Sequence, residues 1–170
     1  FSQEDLIING HAIELRICAE DPASNFLPDT GTLETYVRPQ GYGVRVDDGY
    51  EAGMEIPIYY DPMIAKLIAW GANREEARER LLRAIAEYQV KGIQTTLPFG
   101  SWALQQPAFI SGQFDTNFIG KYFTPQSLEN PSPDAARAAA LLAVQVWLEE
   151  QRKAKQQPVN QAGGRWKSRC

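Results

Sequence analysis

From Gly10 to Cys18 the chain alternates residue by residue: His11, Ile13, Leu15 and Ile17 fall on one side, and Ala12, Glu14, Arg16 and Cys18 on the other. A period of two belongs to extended chain, whose successive side chains point to opposite faces, so this segment predicts a β-strand with one apolar face. Asp21-Pro22 and Pro28-Asp29-Thr30-Gly31 bracket a loop, and Thr32 to Val37, rich in β-branched and aromatic residues, predicts a second strand. Gly41-Tyr42-Gly43 opens a third run through Val46, and Asp47-Asp48-Gly49 before Tyr50 predicts a hairpin-type turn in which glycine takes positive φ. After the break at Asp61-Pro62, Met63 to Trp70 predicts a further long strand.

The period changes at Asn73. Its side chain can cap a helix while Glu76 reaches back, and Glu75 and Glu76 sit at the positive end of the helix dipole. The inward stripe is Ala77, Leu81, Ile85 and Tyr88, widened by Leu82 and Ala84, with Glu76–Arg80 and Glu79–Arg83 spaced four apart outside and Lys91-Gly92 closing the element. This helix is expected to pack on the sheet. Thr95 to Trp102 is irregular, and 113–118 reads as a loop entering a short helix near Ile119 to Tyr122. Asn130-Pro131-Ser132-Pro133-Asp134 reads as a linker that ends in a helix start, Ser132 as cap and Pro133 first in the helix, and an Ala/Leu-rich helix follows to about Lys155. Its apolar face from Ala139 to Leu148 calls for a neighbouring domain or subunit.

A chain of 170 residues, 44% of them hydrophobic, can bury one core of ordinary domain size with an appendage. The expected organisation is a domain over 1–129, followed over 130–170 by linker, helix and a disordered basic tail. The expected class is α+β: a mainly antiparallel sheet with flanking helices, plus the C-terminal helical extension. A net charge of −4, scattered along the chain, gives no footprint for nucleic acid or for an anionic membrane. The basic run Arg165 to Arg169 sits in a Gln/Gly-rich stretch and reads as solvated tail. Cys18 and Cys170 are too far apart in sequence and setting to suggest a disulfide framework or zinc site, and Ala138 to Trp147 is too short to span a bilayer. The chain reads as soluble and cytoplasmic. Phe1 in place of an initiator Met suggests that a segment lies upstream.

Arg16 is the first candidate for chemistry, because alternation turns it away from the apolar layer with Glu14 and Cys18. A guanidinium fork matches the oxygens of bicarbonate, carboxylate or phosphate, although a same-face pair with Glu14 on a solvated strand is the simpler account of the residues alone. Arg45 follows a lone Gly-x-Gly, which more simply marks a turn entering a strand. Tyr59-Tyr60-Asp61-Pro62-Met63 and Lys66 leave charges beside apolar residues; Asp61 can orient an arginine or merely form the turn, and Lys66 can snorkel from an edge. His11 points away from Glu14, so no metal site is expected there. Neither a Ser-His-Asp arrangement nor a P-loop or dinucleotide fingerprint is found.

Gly10-His11-Ala12-Ile13-Glu14-Leu15-Arg16-Ile17-Cys18-Ala19-Glu20-Asp21-Pro22 closely resembles the start of the C-terminal domain of biotin carboxylases. The resemblance continues, in order, through Phe26-Leu27-Pro28, Gly31, Gly41-Tyr42-Gly43-Val44-Arg45, Tyr59 to Leu67, Gly92-Ile93 and Thr116-Asn117-Phe118, covering roughly Gly10 to Phe123. It implies a barrel-sandwich-like domain of a ligase that uses MgATP to activate bicarbonate as carboxyphosphate and carboxylates biotin carried on another domain. By the same resemblance, Arg16 holds bicarbonate and the biotin enolate, Asp61 is a substrate-positioning residue near that pocket, and Phe118 lines the nucleotide pocket. Tyr42 and Arg45 match dimer-interface positions, and Glu87 is a further candidate for that interface.

The ATP-covering loop, the ATP-binding lysines, the metal-binding acids and the base that deprotonates bicarbonate belong upstream in such enzymes, in an ATP-grasp domain, and no Met-Lys-Met biotin-attachment motif occurs. The implied partners are that domain, a biotin carboxyl carrier domain, a second copy of the chain and a carboxyltransferase; the fragment alone should not turn over. The stretch from Asp134 onward looks like the region that follows biotin carboxylase in acyl-CoA carboxylase α chains. Rival readings are a non-catalytic assembly module acting through Tyr42, Arg45 and the last helix, and the equivalent domain of pyruvate or urea carboxylase.

Overall fold

The computed structural model describes residues 1–128 and 133–156. They divide into two compact units, Phe1–Glu129 and Asn130–Cys170. The first contains strands β1 (His11–Cys18), β2 (Glu20–Asp21), β3 (Leu27–Pro28), β4 (Gly31–Thr32), β5 (Thr35–Val37), β6 (Val44–Asp48), β7 (Glu55–Ile56), β8 (Met63–Gly71) and β9 (Gln89–Lys91), with helices α1 (Arg74–Glu87), α2 (Leu97–Leu104), α3 (Pro107–Ser111) and α4 (Phe118–Tyr122). The second contains α5 (Pro133–Gln156), on which Leu141, Leu142, Val146 and Trp147 are exposed. The 130–132 linker, Ser132 as cap, and the tail 157–170 with its basic run and Cys170 lie outside the described residues.

The central sheet has the order β1-β8-β6, antiparallel throughout. Ile13, Leu15 and Ile17 stand opposite Ala69, Leu67 and Ala65, and Val44 and Val46 extend the same face from β6. Ile17 and Leu67 are fully buried there. Ala77, Leu81, Ala84 and Ile85 of α1 are buried against this face, which is the stripe the 3.6-residue period predicts. The Asn73 side chain accepts from the Glu76 amide at 2.9 Å, while the Glu76 carboxylate reaches one residue past the cap, accepting from Ala72 N–H at 2.8 Å. Gly71, at the junction, allows the first turn of α1 to lie against the strand end, since a Cβ there would stand 2.5 Å from the Ala77 nitrogen.

Several local expectations are corrected. Thr32 to Val37 is not one strand: Leu33 turns into the core, fully buried, and its N–H bonds to Met54 C=O, so β4 pairs with β7 while β5 pairs with β9. Asp47 and Asp48 continue β6 along β8, and glycine with positive φ stands at Gly53 rather than Gly49. Helix α1 ends at Glu87, because Tyr88 leaves the helical path to bury its ring and Gln89–Lys91 joins β5. Arg83 pairs with Glu87 at 3.6 Å, not with Glu79. The irregular stretch after Thr95 contains α2, held close to β1 at Gly100, where a Cβ would meet Leu15 Cδ2 at 2.3 Å.

Candidate functional site

The outer face of the central sheet carries the charges. Because residues directly opposed in an antiparallel ladder share a face, the register places Arg16, Lys66 and Asp47 in one row and Glu14, Ile68 and Arg45 in the next. Two cations therefore stand side by side, Arg16 on β1 and Lys66 on β8. The Arg16 side chain is 70% exposed, and its ion-pair partner among the described residues is Glu14, at 3.7 Å. At that separation and exposure the pair contributes little and leaves the guanidinium fork available to an anion. Asp47 is held by both forks of Arg45 at 2.7 Å each, and this bonding keeps its carboxyl below the ordinary range.

Beyond Arg16 the ladder slips. Ile17 pairs with Ala65 but Cys18 pairs with Met63, leaving Ile64 as the extra residue of a β-bulge. Such slips re-aim side chains, and the charges of Arg16, Glu20 and Asp61 are all felt at Cys18. Burial first, then Glu20 and Asp61, push the Cys18 thiol up to about 11, against the pull of Arg16. Glu20 is raised by burial and then by Asp61. Asp61 itself closes its turn by accepting from Met63 N–H at 2.8 Å. Arg16 and Asp61 thus act on the same thiol in opposite senses, without a hydrogen bond or ion pair to one another among the described residues.

The bulge is braced from a distance by Thr96. Its hydroxyl accepts from Cys18 N–H at 3.0 Å and donates to Arg16 C=O at 2.9 Å, and its own N–H donates to Cys18 C=O at 3.1 Å. The sequence contains no signal for this role beyond a polar pair, Thr95-Thr96, just ahead of the apolar Leu97-Pro98-Phe99.

The remaining candidates lie elsewhere. Tyr42, 78% exposed, meets Trp70 edge-on at 6.2 Å and carries the Arg80 guanidinium over its ring at 5.3 Å. Arg80 also bonds Glu76 and the Trp70 carbonyl. Gly43, at φ +72, lets the chain pass this close, since a Cβ would lie 2.7 Å from Trp70 C=O. Glu87 lies further along α1 with Arg83. Phe118, 9% exposed, sits among Trp102, Phe109, Phe114 and Tyr122 and lines an apolar cavity of about 190 Å³ floored by Ile13, Leu15 and Leu81. His11 meets Arg74 at 3.3 Å. Among the described residues no group of three or more His, Cys, Asp or Glu side chains can hold a metal ion, and no helix is long and apolar enough to cross a membrane.

Comparison with known proteins matches residues 14–121 to the family described as biotin carboxylase C-terminal domain. A pyruvate carboxylase component of Methanothermobacter thermautotrophicus is 47% identical over 122 residues, covering 72% of this chain and 25% of that protein. The alpha component of the mitochondrial methylcrotonoyl-CoA carboxylase of Dictyostelium discoideum is 40% identical over 160 residues, 92% of this chain and 23% of that protein. Among solved structures, the biotin carboxylase domain dimer of Hydrogenobacter thermophilus 2-oxoglutarate carboxylase, in complex with MgADP, ADP and bicarbonate, superposes with a TM-score of 0.72 at 39% identity, covering 78% of this chain and 29% of that one. The chain spans about a quarter of the length of the curated relatives it matches.

Proposed function

The chain belongs to the biotin carboxylase C-terminal domain family, and from that membership we propose that it completes the bicarbonate and biotin site of an ATP-dependent biotin carboxylase whose nucleotide-handling part lies elsewhere. The observation that carries this reading is the exposed fork of Arg16, set beside Lys66 and engaged only loosely by Glu14. A preorganised guanidinium stabilises negative charge on bicarbonate oxygens and on the ureido oxygen of biotin as that charge develops. Asp61, across the bulge, positions the bound molecule. Phe118, at its apolar cavity, contributes to the wall against which a nucleotide base rests. The upstream ATP-grasp domain supplies MgATP, a carrier domain supplies biotin, and a carboxyltransferase takes the product. Tyr42, Arg45 and Glu87 serve contact with a second copy of the chain.

The final acceptor in this reading is an acyl-CoA. Its support is the reach of the alignment: the methylcrotonoyl-CoA carboxylase relative is matched over 160 residues and the pyruvate carboxylase relative over 122, so the former continues into the region of α5. Carboxylation assays of the assembled enzyme with acyl-CoA thioesters, pyruvate and 2-oxoglutarate test this; turnover of the keto acids alone overturns it.

For the site itself, Arg16→Ala in the full-length protein is expected to abolish biotin carboxylation and bicarbonate-dependent ATPase while MgATP binding changes by no more than about twofold. Normal carboxylation by that variant removes the proposed role. A purely assembling role, favoured by the exposed Tyr42, predicts instead that Arg16→Ala is silent while Tyr42→Ala shifts the sedimentation of the protein.

A further inference from the structure

We infer that Thr96 is a positioning residue for the anion site: it sets the direction of Arg16 by bridging the two peptide groups that flank Ile17. This rests on the role proposed for Arg16. Thr96 occupies the N-cap position of α2, where a threonine hydroxyl ordinarily accepts from an N–H in the first helical turn. It makes no such bond. Pro98, in that first turn, removes one competing N–H, and the hydroxyl is turned instead to β1, donating to Arg16 C=O and accepting from Cys18 N–H. The third bond, Thr96 N–H to Cys18 C=O, closes a clamp across 78 to 80 residues of sequence.

The clamp sits where the β1–β8 ladder changes register. Arg16 and Ile17 are still in register with Lys66 and Ala65, and where the register shifts after Ile17 the hydroxyl, which both donates and accepts, adds bonds from outside the ladder at Arg16 C=O and Cys18 N–H. Thr96 is buried, so water cannot readily replace it. With the peptides on either side of Ile17 fixed, Arg16 leaves the strand along one Cα–Cβ direction, and only its side-chain torsions are left to be ordered by the anion. A helix cap given up in favour of a bond beside the candidate anion ligand is a local rule broken at a site with function to serve.

The test is made in the full-length protein. Thr96→Val keeps the shape and removes the hydroxyl; Thr96→Ser keeps the hydroxyl. Thr96→Val is expected to raise KM for bicarbonate about tenfold or more, with KM for MgATP within about twofold, because small misplacements of a binding group cost about 10- to 100-fold. Thr96→Ser should restore KM to within about threefold of the parent, and Thr96→Cys, a poorer donor and acceptor, should fall between. If Thr96→Val lowers the melting temperature but leaves KM for bicarbonate unchanged, the residue is structural only and the inference fails. Should the valine variant not fold, equal KM values for the serine and cysteine variants overturn it. Arg16→Ala separates the two levels: normal activity there sinks the anion site itself, whereas an inactive Arg16→Ala beside an unaffected Thr96→Val sinks only the positioning role.

Discussion

The hydroxyl of Tyr88 donates to the hydroxyl of Tyr36 at 2.6 Å, and Tyr36 donates onward to Asp48 at 2.8 Å. The end of α1 is thereby tied to β5 and β6 through one line of oxygens, terminated by Arg38, which grips the same Asp48 carboxylate. Tyr36→Phe removes the middle of the line and leaves the buried Tyr88 hydroxyl without that acceptor. We expect a loss of about 1–3 kcal/mol in unfolding free energy, measured by urea denaturation with an unchanged m value.

The same line sets an alkaline limit. Burial, and then the bonds with Tyr88 and Asp48, raise Tyr36 above the ordinary tyrosine range; burial raises Tyr88 as well. A raised acid pKa favours the neutral, bonded form, so this stabilisation is fully present below about pH 10 and is lost as pH climbs beyond it. Two phenols should therefore ionise late, together with the loss of near-ultraviolet dichroism. If all seven tyrosines titrate smoothly near pH 10 in the folded protein, the expectation fails.

Cys18 should be a poor nucleophile. Its thiol, pushed up to about 11 by burial and by Glu20 and Asp61, holds roughly 100-fold less thiolate near neutrality than a thiol of pKa 9.0. In a Cys170→Ser background, alkylation by iodoacetamide should be slow and should rise about tenfold per pH unit from pH 8 to 10. A plateau near pH 9 contradicts this.

Gly71→Ala should weaken the joint between β8 and α1. The new methyl group would press on the backbone at Ala77 and Glu76, which cannot swing aside as a side-chain end can. A loss of about 1–3 kcal/mol is expected from chemical denaturation, with the far-ultraviolet spectrum retained. An unchanged midpoint would mean that α1 leaves room for the methyl group at the strand end.

The long elements were legible in the sequence: β1 and the buried stripe of α1 follow from alternation and from a 3.6-residue repeat, and β8 from a long apolar run after the Asp61-Pro62 break. Two-residue strands such as β2 and β4 are too short to contain a period, and they exist only because a partner strand arrives. The stretch that forms α2 looks irregular because it is only eight residues long and holds Pro98 and Gly100, although its buried residues Leu97, Gly100, Ala103 and Leu104 share one helical face. At the site, alternation gave the face of Arg16. Its neighbour Lys66 depends on register, and register depends on where Ile64 is extruded, which no local pattern encodes. Thr96 escapes a sequence reading for the same reason, since its donor and acceptor partners on β1 lie 78 and 80 residues away.

That separation has a consequence for the order in which the molecule comes into being. β1 emerges before its partners, so the last bonds that fix Arg16 must wait for residue 96, and its ladder partner must wait for β8. Contacts so far apart along the chain form late and cooperatively. Until then the arginine belongs to an unpaired strand. An anion-holding arginine is therefore a property of the finished fold, and a nascent or truncated chain that stops short of α2 holds the residue without the site.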